Sequence, residues 1–114
     1  MGLALKAAAI VACFPSIVSA EQGPWTDREI CRAAAKTYFF LDSKPDDSVD
    51  EGSWFGFRSA AGNVYSCRIE GVIAAFSWLN NSGEAMESRS SSFLIDGDQL
   101  QVQTDMSQEA FTME

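Results

Sequence analysis

Three cysteines stand in this 114-residue chain, at positions 13, 31 and 67, and their odd number constrains its fold more than any other feature. An odd count leaves one thiol without an internal partner. Cys13 lies in a leader with the anatomy of an export signal. Lys6 gives a positive start, an apolar run extends from Ala7 to Ala20, and Val18-Ser19-Ala20 offers small or tolerated residues for a cut before Glu21. Such a cut removes Cys13 and leaves Cys31 and Cys67, which admit one pairing. In an oxidising compartment that pair defaults to a disulfide. Ile10-Val11-Ala12-Cys13 also loosely matches a bacterial lipoprotein site, which would leave Cys13 lipidated, and an uncleaved anchor is a third reading. Plain secretion is the expectation, with residues 1–20 as signal peptide, residues 21–114 as one small domain, and a periplasmic or extracellular destination. Only six apolar residues separate Lys6 from Cys13, and Phe14–Ala20 would otherwise remain as an apolar tail. No other stretch approaches ~18 apolar residues, so no transmembrane segment is expected in the mature chain.

A mature domain of about 94 residues buries a modest core and stays marginal. A Cys31–Cys67 bridge would contribute on the order of 4 kcal/mol in the chain-entropy model. That is a large share of a typical net stability of roughly 5–15 kcal/mol.

Cys31 sits in the best helix signal of the chain. Thr26 and Glu29 form a capping box, and Trp25 is placed to pack on Ile30 as a hydrophobic staple. Asp27 and Glu29 set negative charge in the first turn, where the helix dipole favours it. Ile30, Ala33, Ala34, Thr37 and Tyr38 share one face, with Cys31 at its border. Arg28, Arg32 and Lys36 recur every four residues on the other side, which reads as a solvated face pairing with nearby carboxylates. The helix is expected to end near Phe39–Leu41, before the turn chemistry of Asp42-Ser43-Lys44-Pro45.

Beyond Gly52 the period changes to two. Ser53–Ser59, Asn63–Glu70, Val72–Leu79, Ser88–Ile95 and Gln99–Thr104 read as strands. Turns fall at Ala60–Asn63, Glu70-Gly71, Asn80–Gly83 and Asp96-Gly97, the last being the strongest hairpin signal. In the central strand Tyr65, Cys67 and Ile69 point one way, and Ser66, Arg68 and Glu70 the other. The C-terminal tail is weakly patterned, with an edge strand an option near Ala110–Met113. The expected fold is therefore α+β: an N-terminal helix packed on a roughly five-stranded antiparallel meander, stapled by one disulfide.

Most catalytic templates fail on composition. The chain has no His, which removes His-based triads, imidazole acid–base chemistry and His-based zinc sites. Two distant cysteines make neither a structural zinc site nor a Cys-x-x-Cys redox motif. No phosphate-cradling glycine loop is found, and Ser88 and Ser90–Ser92 sit in no nucleophile motif. Asp46, Asp47, Asp50 and Glu51 suggest a calcium loop, but counting from Asp46 puts Glu51 where glycine is required and Phe57 where the last glutamate belongs. A mobile acidic loop is the better reading. Glu70, Asp96 and Asp98 lie at turns and leave a carboxylate-dependent hydrolase as the remaining enzymatic reading. Turns, however, recruit such residues for local hydrogen bonds. No catalytic residue, metal or cofactor is expected.

Charge and aromatics point to binding. Removing Lys6 with the leader leaves seven basic residues against sixteen acidic ones, a net −9 for the mature chain. Nucleic acid and anionic membranes are disfavoured, whereas a basic protein is a compatible partner. In Trp54-Phe55-Gly56-Phe57 both faces of one strand carry bulk, so Trp54 and Phe55 beside the acidic residues Asp46, Asp47, Asp50 and Glu51 form a candidate partner-binding patch. The alternative is that helix and tail cover both faces.

Taken together, Ile30-Cys31-Arg32-Ala33-Ala34, Tyr65-Ser66-Cys67-Arg68-Ile69-Glu70-Gly71 and Ile95-Asp96-Gly97-Asp98-Gln99-Leu100 resemble a group of small exported bacterial proteins of unknown function. Its marks are a Cys-Arg-Ala-Ala helix, a Tyr-x-Cys-Arg strand before an x-Gly turn, and a late Asp-Gly hairpin. The resemblance spans about half of the mature chain. This chain departs from it at Tyr38–Leu41, in the acidic loop, and at Val72–Ala75. The resemblance implies the bridge, the compartment and the fold, and it carries over no functional residue. The functional expectation is a non-enzymatic exported binding module, of inhibitor or immunity type for a basic partner. A structural or envelope-maintenance protein without a specific ligand is the alternative.

Overall fold

The computed structural model describes residues 23–113. The export signal over residues 1–20, the cut at Ala20 and the lipidation reading of Cys13 lie outside the described residues. Helix α1 spans Asp27–Tyr38. Seven strands follow: β1 Asp46–Asp47, β2 Phe55–Arg58, β3 Val64–Glu70, β4 Ile73–Leu79, β5 Ala85–Asp96, β6 Gln99–Gln103 and β7 Gln108–Thr112. They form one antiparallel sheet in chain order, each strand beside the next. The sheet curls as a half-barrel around α1, which packs against β2 through β7. No described helix is long and apolar enough to cross a membrane.

The meander with a helix on one face is as expected, but the strands number seven rather than five and the domain is mostly β. The two additional strands are edges, where sequence patterning is weakest. β1 is two aspartates paired with Arg58 and Phe57. β7 is a polar stretch with Phe111 as its main apolar anchor, opposite Leu100.

The register sets the core. Phe55 and Phe57 pair with Cys67 and Tyr65, which pair with Phe76 and Trp78. All six side chains therefore share the helix-facing side. Phe57, Cys67, Phe76, Leu100 and Val102 are fully buried, as are Ile30, Cys31, Ala33, Ala34 and Ala35 of the helix. Burying each of the larger apolar side chains contributes about 1.5–3 kcal/mol. Between Ala74↔Ser91 and Phe76↔Ser88 the register advances two residues on β4 and three on β5. The extra residue is a bulge, and it resets the alternation of β5 so that both halves serve the same face.

The helix is built as its sequence indicates. Thr26 Oγ1 accepts the Glu29 N–H at 3.1 Å. Trp25 and Ile30 both belong to the buried core. The return half of the expected capping box is not seen among the described residues, because the Glu29 carboxylate accepts from Arg32 at 3.3 Å instead. The basic row is paired as read: Arg28 with Asp47 and Asp50, Arg32 with Glu29, Lys36 with Glu109. The Cys31–Cys67 disulfide is formed, with the Cα atoms 5.9 Å apart, and it fastens the middle of α1 to the middle of β3.

Candidate functional site

The antiparallel topology sorts the loops into two ends. One end collects the start of α1 and the turns at 48–54, 71–72 and 97–98. The other collects the end of α1 and the turns at 59–63, 80–84 and 104–107.

The patch expected at Asp46–Phe55 lies toward the first end, and it is tied down. Asp50 accepts from Arg28 and from the Gly56 N–H at 3.0 Å. Both bonds favour its charged form, the arginine most, and hold the carboxyl below its ordinary pKa. Ser48 N–H donates to Gly56 O at 2.8 Å. A Cβ on Gly56 would stand 2.0 Å from Val49 O, so only glycine lets this segment lie flat on β2. The segment is therefore anchored rather than mobile. Phe55 lies on the inner face with the Arg28 guanidinium 4.7 Å from its ring centre. Trp54 lies half-buried on the outer face beneath Arg68, at 4.5 Å. Asp46 and Glu51 are exposed, and no ion pair forms at either.

Arg68 belongs to a network on that outer face. Its Nε donates to Glu70 at 2.8 Å and a terminal nitrogen donates to Ser53 at 3.2 Å. Arg89 makes two bonds to Glu70, at 2.9 and 3.2 Å, and one to Glu87 at 3.0 Å. Arg89 first, then Arg68, hold the Glu70 carboxyl down to about 2. A carboxyl so strongly held as an anion is a poor general acid near neutrality.

The second end is different. Of eight large apolar residues left exposed among the described residues, five gather there: Phe40, Val64, Leu79, Met86 and Met106. Exposed apolar residues are ordinary when scattered, and their grouping is what carries information. Two of them, Val64 and Leu79, edge an aromatic floor. Phe39 stacks on Tyr65 with ring centres 3.8 Å apart and meets Trp78 edge-on at 5.1 Å. Tyr38 stacks on Phe76 at 5.2 Å. A groove of about 310 Å³ opens over Phe39, Tyr65 and Trp78, and a second of about 240 Å³ runs beside Phe40, Leu41 and Asp42. Asn63 lines both, so the two are neighbours.

Phe40 is also the one described non-glycine residue at positive φ, +55°. Leu41 N–H reaches back to Lys36 O at 2.9 Å, closing the helix with a Schellman turn whose left-handed position is occupied by Phe40. Glycine is the usual occupant because a side chain there costs about 1 kcal/mol or more. Phe40 remains 66 % exposed, so burial does not offset that cost. Strain kept without a packing return is a mark of a functional position.

The electrostatics of this end are negative. Its loops carry Asp42, Glu84 and Asp105 against Arg58 and Lys44, and the Lys44 ammonium is turned onto the Trp25 and Phe111 rings. The C-terminal pole of α1 adds to the same sign. Sequence reasoning placed the helix end near Phe39–Leu41, but it did not single out this end as a candidate site. The signal present was Phe39-Phe40-Leu41, an apolar run continuing past the point where the helix stops. Among the described residues there is no group of three or more His, Cys, Asp or Glu placed to hold a metal. No family model, curated protein or solved structure matches the chain.

Proposed function

We propose that the protein is a non-enzymatic exported binding module, and that it receives a basic protein partner at the helix C-terminal end of the half-barrel, as an inhibitor or immunity-type protein would. The observation that carries this reading is the strained, exposed Phe40, which lines one groove while its neighbour Phe39 lines the adjoining one. An exposed aromatic anchor at the helix terminus, beside a groove lined by Val64, Leu79, Tyr65, Phe39 and Trp78, has the make-up of an interface hot spot. Asp42 beside it, with Glu84 and Asp105 in other turns of the same end, gives the sign that steers a cationic partner. The buried disulfide and the absence of a membrane-length helix among the described residues are compatible with an exported protein. The depressed Glu70 carboxyl weighs against a carboxylate hydrolase built on that residue.

Immobilised mature protein, the Phe40→Gly variant and the Leu79→Ser variant, each exposed to envelope extract, test the reading. A partner retained by the unsubstituted protein, released as salt screens the charges and lost with both variants, is expected. Retention of the same partner by Phe40→Gly counts against this site.

A further inference from the structure

We propose that a second copy of this chain adds to the free edge of β5, antiparallel, about a two-fold axis at Ser88. β5 runs Ala85–Asp96, but β6 pairs only with Ser92–Asp96. Residues 85–91 are held to β4 on one side, and among the described residues no strand lies on the other. Apart from the buried Ser91 and the half-buried Ser88, this stretch is exposed. The backbone groups of such an edge are a template for one more strand. Ser90 N–H has turned onto Ser88 Oγ at 3.3 Å, a local substitute for a missing neighbour.

The side chains select the occupant. With the axis at Ser88, Glu87 of one copy opposes Arg89 of the other, and symmetry makes this pair twice. Opposite charges directly across a ladder stabilise it, and like charges do the reverse. Shifting the register by one residue sets Arg89 against Met86 and loses both pairs, so the charges fix the alignment. The surroundings argue against a basic strand here. Arg68, Glu70, Glu87 and Arg89 form one network of two cations and two anions, so the excess negative charge of the chain lies elsewhere. A locally neutral edge of alternating sign is complementary to itself. The bulge beyond Arg89 keeps the ladder short, which makes the dimer concentration-dependent. This association does not rest on the aromatic groove.

Sedimentation velocity of the oxidised mature protein, from about 5 to 500 µM, reads the mass against concentration. The weight-average mass is expected to rise toward twice the monomer, with hydrogen-exchange protection of Ala85–Arg89 rising in step. Glu87→Arg sets like charges together at both pairs and is expected to be monomeric throughout; so is Arg89→Glu. Mixed in equal amounts, the two variants restore opposite signs at every pair and are expected to form a heterodimer. A monomer at every concentration, a dimer that survives Glu87→Arg, or protection that rises elsewhere overturns the proposal. Arg89→Glu also strips Glu70 of its main partner; if it fails to fold, the Glu87→Arg mass and the exchange pattern decide alone.

Discussion

On the proposed reading, Phe40 sets folding and recognition against each other at a single residue. Glycine at this position removes the left-handed penalty of about 1–2 kcal/mol but adds unfolded-state freedom of roughly 0.5–1 kcal/mol. Phe40→Gly is therefore expected to be at least as stable as the parent, by up to about 1 kcal/mol, with a Tm rise of about 2–6 °C for a domain of this size. It is also expected to lose its partner. A gain in Tm beside a loss of binding separates a functional strain from a merely tolerated one, and a fall in Tm would mean that Phe40 is held by packing after all. Ser91 offers a second test. Its hydroxyl is fully buried and without a hydrogen-bond partner. Ser91→Ala removes an unsatisfied group at almost constant shape, so urea unfolding should show a gain of about 1 kcal/mol. Neither residue announced itself in the sequence. Thr26 was legible as a cap because its side chain has a local job that only a few residue types can do. Phe40 was not, because nothing in Phe39-Phe40-Leu41 marks the left-handed position that glycine normally marks. Ser91 hid in a run of serines that reads as solvated surface.

Elements were legible where a turn fixed them. Gly71 and Gly97 both adopt φ +63°, in two-residue loops joining β3 to β4 and β5 to β6. Their dipeptides, Glu70-Gly71 and Asp96-Gly97, gave those hairpins from local chemistry alone. β1 was not legible, and β7 only as an edge-strand option near Ala110–Met113, because tertiary contacts rather than alternation define them. β7 is held by Glu109, which accepts from Lys36 at 2.6 Å and from the Thr37 hydroxyl at 3.0 Å. The adjoining turn is tied by the Ser107 hydroxyl to Thr37 O at 3.3 Å. Glu109→Ala should therefore loosen β7 selectively. Amide exchange over Gln108–Thr112 should quicken while β3 and β4 keep their protection, with a global cost of about 1–2 kcal/mol for a half-buried, hydrogen-bonded pair. Uniform loss across the sheet would show that β7 is part of the cooperative core. The outer-face network has a pH signature of its own. The Glu70 carboxyl is lowered in the folded protein from 4.5 to about 2. Its stabilising contribution is thus fully present above about pH 4.5, and is lost as pH falls from there through about 2. Denaturant midpoints taken across that window should fall less steeply in Glu70→Gln than in the parent. Parallel curves would mean that Arg89 and Arg68 do not hold Glu70 in solution.

At the scale of the molecule, the weak joint is between α1 and the sheet. The helix presents Ala33, Ala34 and Ala35, which share one core with Phe57, Phe76, Leu100 and Val102 of the sheet as well as Ala74. Small residues let the two layers approach closely, but they remove little apolar area from water, and burial energy scales with that area. The larger residues, Ile30 and Trp25, lie at the N-terminal part of the contact, and Tyr38 and Phe39 at the other end. Between them the disulfide is the strongest fastening. It closes a segment with a sequence separation of 36 residues, for which chain entropy gives about 4 kcal/mol. The pairing of cysteines 31 and 67 was readable in the sequence, but the dependence on it was not, since that follows from how small the helix's own side chains are along the middle of the contact. Reduction should therefore act on the whole fold. In urea unfolding followed by tryptophan fluorescence, the reduced protein should lose about 4 kcal/mol relative to the oxidised form. A Cys31→Ala/Cys67→Ala double variant should lose a similar amount. Because Phe39 and Phe40 extend from α1, the loss should reach the groove: Trp78 fluorescence should change at urea concentrations that leave the oxidised protein intact. An unchanged midpoint on reduction would mean that the aromatic packing at the two ends of the helix suffices, and the site's geometry would then have to be credited to Tyr38, Phe39, Tyr65 and Trp78 alone.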